Sequence, residues 1–328
     1  MTNWLITGGC GFIGTNLISK LIKEPDNKIL VLDNLTVGSR ASLGEISDFT
    51  SIDPQSDKVS WDESVSLVEG DILDLPTVSY CLNGADVVVH LAANTGVGPS
   101  VKDPFYDCQA NVVGTLNVLE AARHNSVKNF VFASSGAPLG EQVPPLNEKL
   151  APRPASPYGA SKLAGEGYCS AYHHSFGLST VSLRFGNVYG GRSEMKESVV
   201  AKFIKCAIGN IPFEVYGTGE QTRDFIYIDD LVRAVCLAAS TPEIGGETLQ
   251  IATSRETNIN ELIEAMQRAL VSQGLPPAVV KFTQARAGDV KRNFSDTTKA
   301  KQMLGWEANE TLSSGIEKTI KYYQSKLS

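Results

Sequence analysis

The 328-residue chain contains no run of about 18 apolar residues, which excludes a membrane-spanning helix. It has no surplus of positive charge: 29 Lys and Arg stand against 36 Asp and Glu, for a formal net charge of −7. That balance argues against a nucleic-acid partner. Acidic residues are dispersed, so an anionic ligand would be met by a few placed arginines. The six cysteines (Cys10, Cys81, Cys108, Cys169, Cys206 and Cys236) show no CxxC or other metal-binding spacing. His90, His124, His173 and His174 form no ligand pattern either, so no metal is expected, and His90, at the end of an apolar strand, reads as structural. Met1 leads directly into the first apolar run, leaving no room for a signal peptide. With thiols expected to be free, the expectation is a cytoplasmic protein. No internal repeat or low-complexity tract is present. What remains is an ordinary globular composition, 42% hydrophobic and 20% charged, long enough for one large domain or two.

The first informative feature is a glycine-rich turn. Trp4-Leu5-Ile6-Thr7 reads as a short buried strand, and Thr15 to Lys23 as an amphipathic helix. Between them runs Gly8-Gly9-Cys10-Gly11-Phe12-Ile13-Gly14. Glycines at 8, 11 and 14 permit a tight turn, close approach of a pyrophosphate, and packing of helix on strand. The helix N-terminus then faces the phosphates. Lys28 to Leu32 is a second apolar strand, and Asp33 ends it at the spacing expected of a ribose-binding acid. A carboxylate there favours NAD and repels the 2′-phosphate of NADP; Arg40, which could serve such a phosphate, is the counter-signal.

The second feature is Tyr158 and Lys162, four residues apart on a presumptive helix face. A lysine beside a tyrosine is expected to favour the phenolate and lower the tyrosine pKa. Such a phenolate can take a proton from a sugar hydroxyl while a nearby nicotinamide accepts hydride.

Strands and helices alternate through the first half. Short strands are expected at 64–68, 86–91, 129–134 and 179–184. Helices are expected at 76–82, 105–124 and 156–175, with a polar loop over 36–62. The alternation predicts an α/β fold, a doubly wound (Rossmann) parallel sheet. Beyond Arg184 the pattern loosens into helices near 198–209, 229–239, 258–272 and 312–326 with short strands between. The expected division is an NAD-binding domain over 1–183, with a return segment near 224–240, and a smaller mixed α/β substrate-binding domain over 184–328.

In this order, several segments resemble the extended short-chain dehydrogenase/reductase superfamily, specifically its NAD-dependent epimerase/dehydratase family of nucleotide-sugar enzymes. Besides the features above they are Gly70-Asp71-Ile72, His90-Leu91-Ala92-Ala93, Asn111 to Thr115, Arg184 to Gly190, Arg223 to Asp230 and Arg286-Ala287-Gly288-Asp289. The resemblance covers nearly the whole chain. It implies that Gly8, Gly11, Phe12, Ile13 and Gly14 hold the NAD pyrophosphate, Asp33 and Asn34 the adenosine ribose, and Asp71 and Ile72 the adenine. Leu91, Ala92 and Ala93 would line the cofactor site, and Lys162 would also bond the nicotinamide ribose. Ser135, Tyr158 and Lys162 are the implied catalytic residues. Asn187, Arg223, Arg286, Asp289 and Asn293 are the implied substrate-binding set, with the arginines on phosphate. Helices near 105–124 and 157–174 resemble those that pair between subunits in this family, implying a homodimer.

The chain departs from the family in one loop, Ser134-Ser135-Gly136-Ala137-Pro138-Leu139-Gly140. Family dehydratases carry Asp-Glu where Gly136 and Ala137 stand. Neither residue can act as acid or base, so elimination of water is disfavoured. The resemblance therefore implies a nucleotide-sugar 4-epimerase acting on a UDP-hexose or UDP-N-acetylhexosamine by reversible oxidation at C4. Asn293 falls where some epimerases carry a bulky tyrosine that excludes N-acetyl groups, and a smaller residue there predicts that such groups are accepted. Arg192 or Lys102 could instead meet a C6 carboxylate. A dehydratase, a UDP-uronate epimerase or decarboxylase, and a non-catalytic NAD-binding protein are the alternatives.

Overall fold

The computed structural model describes residues 1–56, 58–285 and 290–326. The continuous apolar runs become strands because their side chains are buried on both faces of a sheet. In chain order these are β1 (Thr2–Thr7), β2 (Asn27–Asp33), β3 (Thr50–Ser51), β4 (Val65–Glu69), β5 (Val87–His90), β6 (Asn129–Ser135) and β7 (Ser179–Phe185). Next come β8 (Asn187–Tyr189), β9 (Phe213–Tyr216), β10 (Thr222–Arg223) and β11 (Phe225–Tyr227) outside this sheet, and β12 (Glu247–Ile251), which rejoins it. The strand order is β12-β7-β6-β5-β1-β2-β4-β3. The chain thus builds outward in one direction from β1 and in the other from β5. The pairs β1–β2, β1–β5, β2–β4 and β5–β6 are parallel. The fold is the expected doubly wound α/β sheet, and its strand order reverses between β1 and β5, where Thr7 lies opposite His90. Ligands of such sheets bind beyond the carboxyl ends of the strands at that reversal.

The helices of this region are α1 (Phe12–Leu21), α2 (Arg40–Gly44), α3 (Leu75–Leu82), α4 (Val97–Lys102), α5 (Pro104–Cys108), α6 (Gly114–His124) and α7 (Pro157–Phe176). Two expectations are corrected. The polar stretch 36–62 is not all loop: it holds α2 and β3. The single helix expected over 105–124 is broken, since a π-helical turn (Gln109–Val113) separates α5 from α6. One residue more per turn re-aims the side chains that follow, and such turns mark functional sites. Leu5, Leu30, Val88, Phe130 and Phe132 form the sheet's contribution to a core closed by Val78, Val118, Leu119 and Tyr172.

The chain forms two compact units. One comprises Met1–Glu141, Glu148–Arg184 and Val232–Leu249; the other comprises Gln142–Asn147, Phe185–Leu231 and Gln250–Ser328. The second unit contains short ladders β8–β11 and β9 with β14 (Val280–Thr283), both parallel, and β10 with β13 (Thr257–Asn258), antiparallel. Buried carboxylates staple it. Asp224 accepts from the backbone N–H groups of Thr253, Ser254 and Ser295. Asp230 accepts from those of Asn309 and Glu310. Phe203 and Phe213 stack with centroids 4.4 Å apart. Among the described residues, no helix is long and apolar enough to cross a membrane.

Candidate active site

The glycine turn follows β1 at the reversal point. Gly8 adopts φ +69°, a conformation that a side chain strains. A Cβ on Gly8 would lie 2.8 Å from the Ala92 backbone nitrogen, so the β1 and β5 loops touch only because this residue is glycine. A Cβ on Gly14 would likewise strike the backbone of Gly8 and Gly9. Gly11 caps α1 without a side chain, and the first turn of α1 holds no acidic residue. That cradle, a glycine-lined backbone at a helix N-terminus, fits a dinucleotide pyrophosphate. Leu91, Ala92 and Ala93 follow directly after β5, beside the turn.

Asp33 is buried at the end of β2. Its Oδ2 accepts from the Cys10 N–H at 2.9 Å and its Oδ1 from that of Leu35 at 2.8 Å. The carboxylate therefore braces the glycine turn. Burial raises its pKa, and the two N–H groups oppose the rise. Asn34 Nδ2 donates to Asp71 Oδ2 at 2.9 Å, which joins the residues expected at ribose and adenine. Ile72 is buried, its side chain packed where a Cβ on Gly114 would lie. Arg40, the counter-signal to NAD, pairs with Glu69 at 3.1 Å and donates to Ser51 Oγ at 2.8 Å.

The expected catalytic residues lie together. β6 delivers Ser135 at its last position, and α7 carries Tyr158 in its first turn and Lys162 one turn on. The α7 start is built locally: Ser156 Oγ accepts from the Gly159 N–H at 3.1 Å, and Pro157 occupies the first turn. Ser135 and Tyr158 share a side-chain hydrogen bond. Lys162 is 3% exposed. Its Nζ donates to the Ala133 carbonyl at 2.8 Å and sits 4.8 Å from the Phe132 ring centroid.

One expectation fails here. Tyr158 is not lowered by its lysine: burial pushes the phenol up to about 12, with only the Ser135 hydrogen bond acting downward. Burial also pulls the Lys162 ammonium down to about 8. The ammonium is committed to a carbonyl of β6, and desolvation is the largest cause of both shifts.

Several residues beside this pair escaped the sequence reading as site residues. Asp107 and Asn111 stand at i and i+4 on α5 and the π turn; that spacing was a legible signal of one shared face. His90, read as structural, is fully buried. Its Nδ1 lies 2.7 Å from Thr7 Oγ1 and its Nε2 3.0 Å from Thr115 Oγ1. Because Thr115 Oγ1 donates to the Asn111 carbonyl at 2.6 Å, Nε2 must be the ring's donor.

Of the expected substrate residues, Asn187 and Arg223 line one pocket of about 250 Å³ within the second unit. Tyr189, Lys202, Phe203, Tyr216 and Phe225 line it too. Arg223 Nη1 donates to the carbonyls of Thr222 and Val290, both at 2.7 Å, which fixes the guanidinium. Asn293 is not on this pocket; its backbone N–H donates to Thr222 Oγ1 at 3.3 Å. Arg286 and Asp289 lie outside the described residues. All six cysteines are free, with Cys10, Cys81 and Cys169 buried. Among the described residues, no group of His, Cys, Asp and Glu is arranged to hold a metal ion.

A glycine cradle at the sheet's reversal point, beside a Ser–Tyr–Lys constellation, defines a nicotinamide-dinucleotide enzyme of the short-chain dehydrogenase/reductase type. The chain belongs to the NAD dependent epimerase/dehydratase family, which it matches over residues 4–252. It is 33% identical over 327 residues to the UDP-glucose 4-epimerase of Mycolicibacterium smegmatis, covering 98% of each chain. The structure of the Thermotoga maritima UDP-glucose 4-epimerase with UDP-glucose superposes with a TM-score of 0.87, at 33% identity and 100% coverage of both chains. The Bacillus cereus UDP-glucuronic acid 4-epimerase, solved with UDP-glucuronic acid and NAD, gives 0.85 at 31% identity, covering 99% of this chain and 100% of that one.

Proposed function

We propose that this protein is an NAD-dependent UDP-sugar 4-epimerase. The observation that carries the proposal is the Ser135–Tyr158–Lys162 constellation beside a cradle built for a dinucleotide, with no acid or base at Gly136 or Ala137 to divert it to elimination. The turn from Gly8 to Gly14, braced by Asp33, would hold the pyrophosphate, and Asn34 and Asp71 the adenosine. NAD, when bound in its oxidised form, supplies the hydride acceptor and a positively charged ring.

Ser135 orients the sugar's 4-hydroxyl, and Tyr158 takes its proton as the carbon loses hydride. Tyr158 then returns the proton as hydride comes back to the opposite face. Proton and hydride both return, so the product keeps the substrate's mass. Tyr158 serves as a base only when positive charge offsets the burial that holds its phenol up. In the second unit, Arg223, Asn187 and Lys202 give the pocket the chemistry to take a nucleoside diphosphate, the arginine as a charged fork. The smaller Asn293 supports acceptance of UDP-N-acetylhexosamines beside the plain hexoses.

The test is turnover on a panel of UDP-hexoses, UDP-N-acetylhexosamines and UDP-uronates with mass analysis of the products. An epimer of unchanged mass is expected; loss of water would overturn the reading in favour of dehydration. Tyr158→Phe should abolish turnover and leave NAD bound. Unchanged turnover would remove this tyrosine from the mechanism.

A homodimer and a cytoplasmic location belong to the same proposal. Phe105 is 85% exposed, and Val97, Val101, Val113 and Tyr168 are exposed beside it on α4, the π turn and α7. Such a surface suits burial against a second copy. Light scattering should report a dimer at micromolar concentration, and a monomer would refute it. Six free thiols suit a reducing compartment.

A further inference from the structure

Asp107 stands next to the end of α5 and is 1% exposed. Its Oδ1 accepts from Asn111 Nδ2 at 3.0 Å and from Asn94 Nδ2 at 3.3 Å. Its Oδ2 is buried with no hydrogen-bond partner among the described residues. A buried carboxyl oxygen without a partner is costly, and an asparagine could supply the same Oδ1 contacts at lower cost. Stability alone therefore does not account for an acid here.

The geometry around Asp107 points to the catalytic pair. Asn111 Nδ2, held by Asp107, lies 3.1 Å from Ser161 Oγ. Ser161 Oγ donates to the Tyr158 carbonyl at 3.0 Å, and Ser161 immediately precedes Lys162. The carboxyl also interacts electrostatically with both Lys162 and Tyr158.

Other charged or titratable groups facing Lys162 differ from Asp107. Glu166, on α7 itself, is taken by Arg184 of β7 at 2.7 Å and by Ser134 of β6. His90 of β5 is buried and neutral, held down to about 3. Cys169, also on α7, is a buried thiol held up at about 12. Farther along, α6 presents Glu120 to Tyr172, and Lys102 of α4 is exposed. Among the described residues, Asp107 has no cationic partner within ion-pair distance, which sets it apart from Glu166.

We propose that Asp107 is a positioning residue for Tyr158 and Lys162: its carboxylate keeps the buried ammonium protonated and sets the pH window of the reaction, while its Oδ1 anchors Asn111 against α7. This deepens the epimerase reading and rests on it.

Removing the negative charge makes Lys162 lose its proton at lower pH and lets Tyr158 ionise at lower pH. In Asp107→Asn, both limbs of the kcat profile should therefore move to lower pH, by about one unit. A drop in kcat by one factor at every pH, with the limbs in place, would overturn the proposal. Asp107→Ser removes the charge with a smaller side chain and should show the same displacement if the asparagine variant does not fold. A second readout does not need turnover: the tyrosinate absorbance titration of the NAD-loaded protein, taken as the difference from Tyr158→Phe. It should move to lower pH in the same variants, and an unmoved titration would count against Asp107. Failure of the wild-type protein to epimerise any UDP-sugar would sink the functional reading and leave this titration to decide on Asp107.

Discussion

At the scale of single residues, the proposed chemistry depends on what surrounds Lys162 more than on its spacing from Tyr158. The four-residue interval was legible in the sequence. Burial of both groups and the hydrogen bond to Ala133 were not, because β6 comes about 29 positions earlier in the chain. The pair Glu166–Arg184 shows the same dependence. Their side chains are 6% and 5% exposed, and the guanidinium meets the carboxylate at 2.8 and 2.7 Å. Glu166→Gln leaves a buried arginine without its counter-charge, which should destabilise the protein by about 3–5 kcal/mol. Denaturant unfolding reads that loss directly. A change below about 1 kcal/mol would mean that water enters to solvate Arg184.

At the scale of elements, the loop that departs from the family is well formed. Leu139 is fully buried in a short 3-10 turn (Ala137–Leu139). Gly136 has φ −69° and ψ −14°, values any residue adopts, and a Cβ there would meet nothing within 4 Å. Its glycine thus serves no backbone need. Gly136→Ala should stabilise the protein by about 0.4–1 kcal/mol by narrowing the unfolded ensemble. A lowered Tm would show that the loop needs glycine's freedom. The helix expected over 105–124 is the instructive failure at this scale. Apolar spacing announced helix throughout, and periodicity does not register one extra residue in a turn. The π turn is selected by tertiary contacts, with Asn111 bonded at once to Asn94, Asp107 and Ser161.

At the scale of the whole molecule, stability should carry the signature of one buried imidazole. His90 has an ordinary pKa of 6.5 and is pushed down to about 3, first by burial and then by the Lys162 charge. Below 6.5 the unfolded chain binds a proton that the folded protein excludes. The stabilisation is therefore complete above that value and is lost as pH falls toward about 3, at about 1.4 kcal/mol per pH unit. Unfolding free energies at about pH 7 and about pH 5 should differ by about 2 kcal/mol through this group. The difference should shrink in His90→Asn, and an equal pH dependence in both proteins would assign it to other residues.

The sequence by itself determined the apolar strands, the dinucleotide turn and the doubly wound sheet, though not β3, because these follow from local periodicity and from glycines required by backbone geometry. The side chains proposed to carry the chemistry were legible there as motifs. Tertiary structure alone decided how those side chains ionise and what holds them. Desolvation, the Ala133 carbonyl at Lys162, the Asp107–Asn111–Ser161 chain and the fixed tautomer of His90 arise between segments distant in sequence, and no local pattern encodes a distance between such segments.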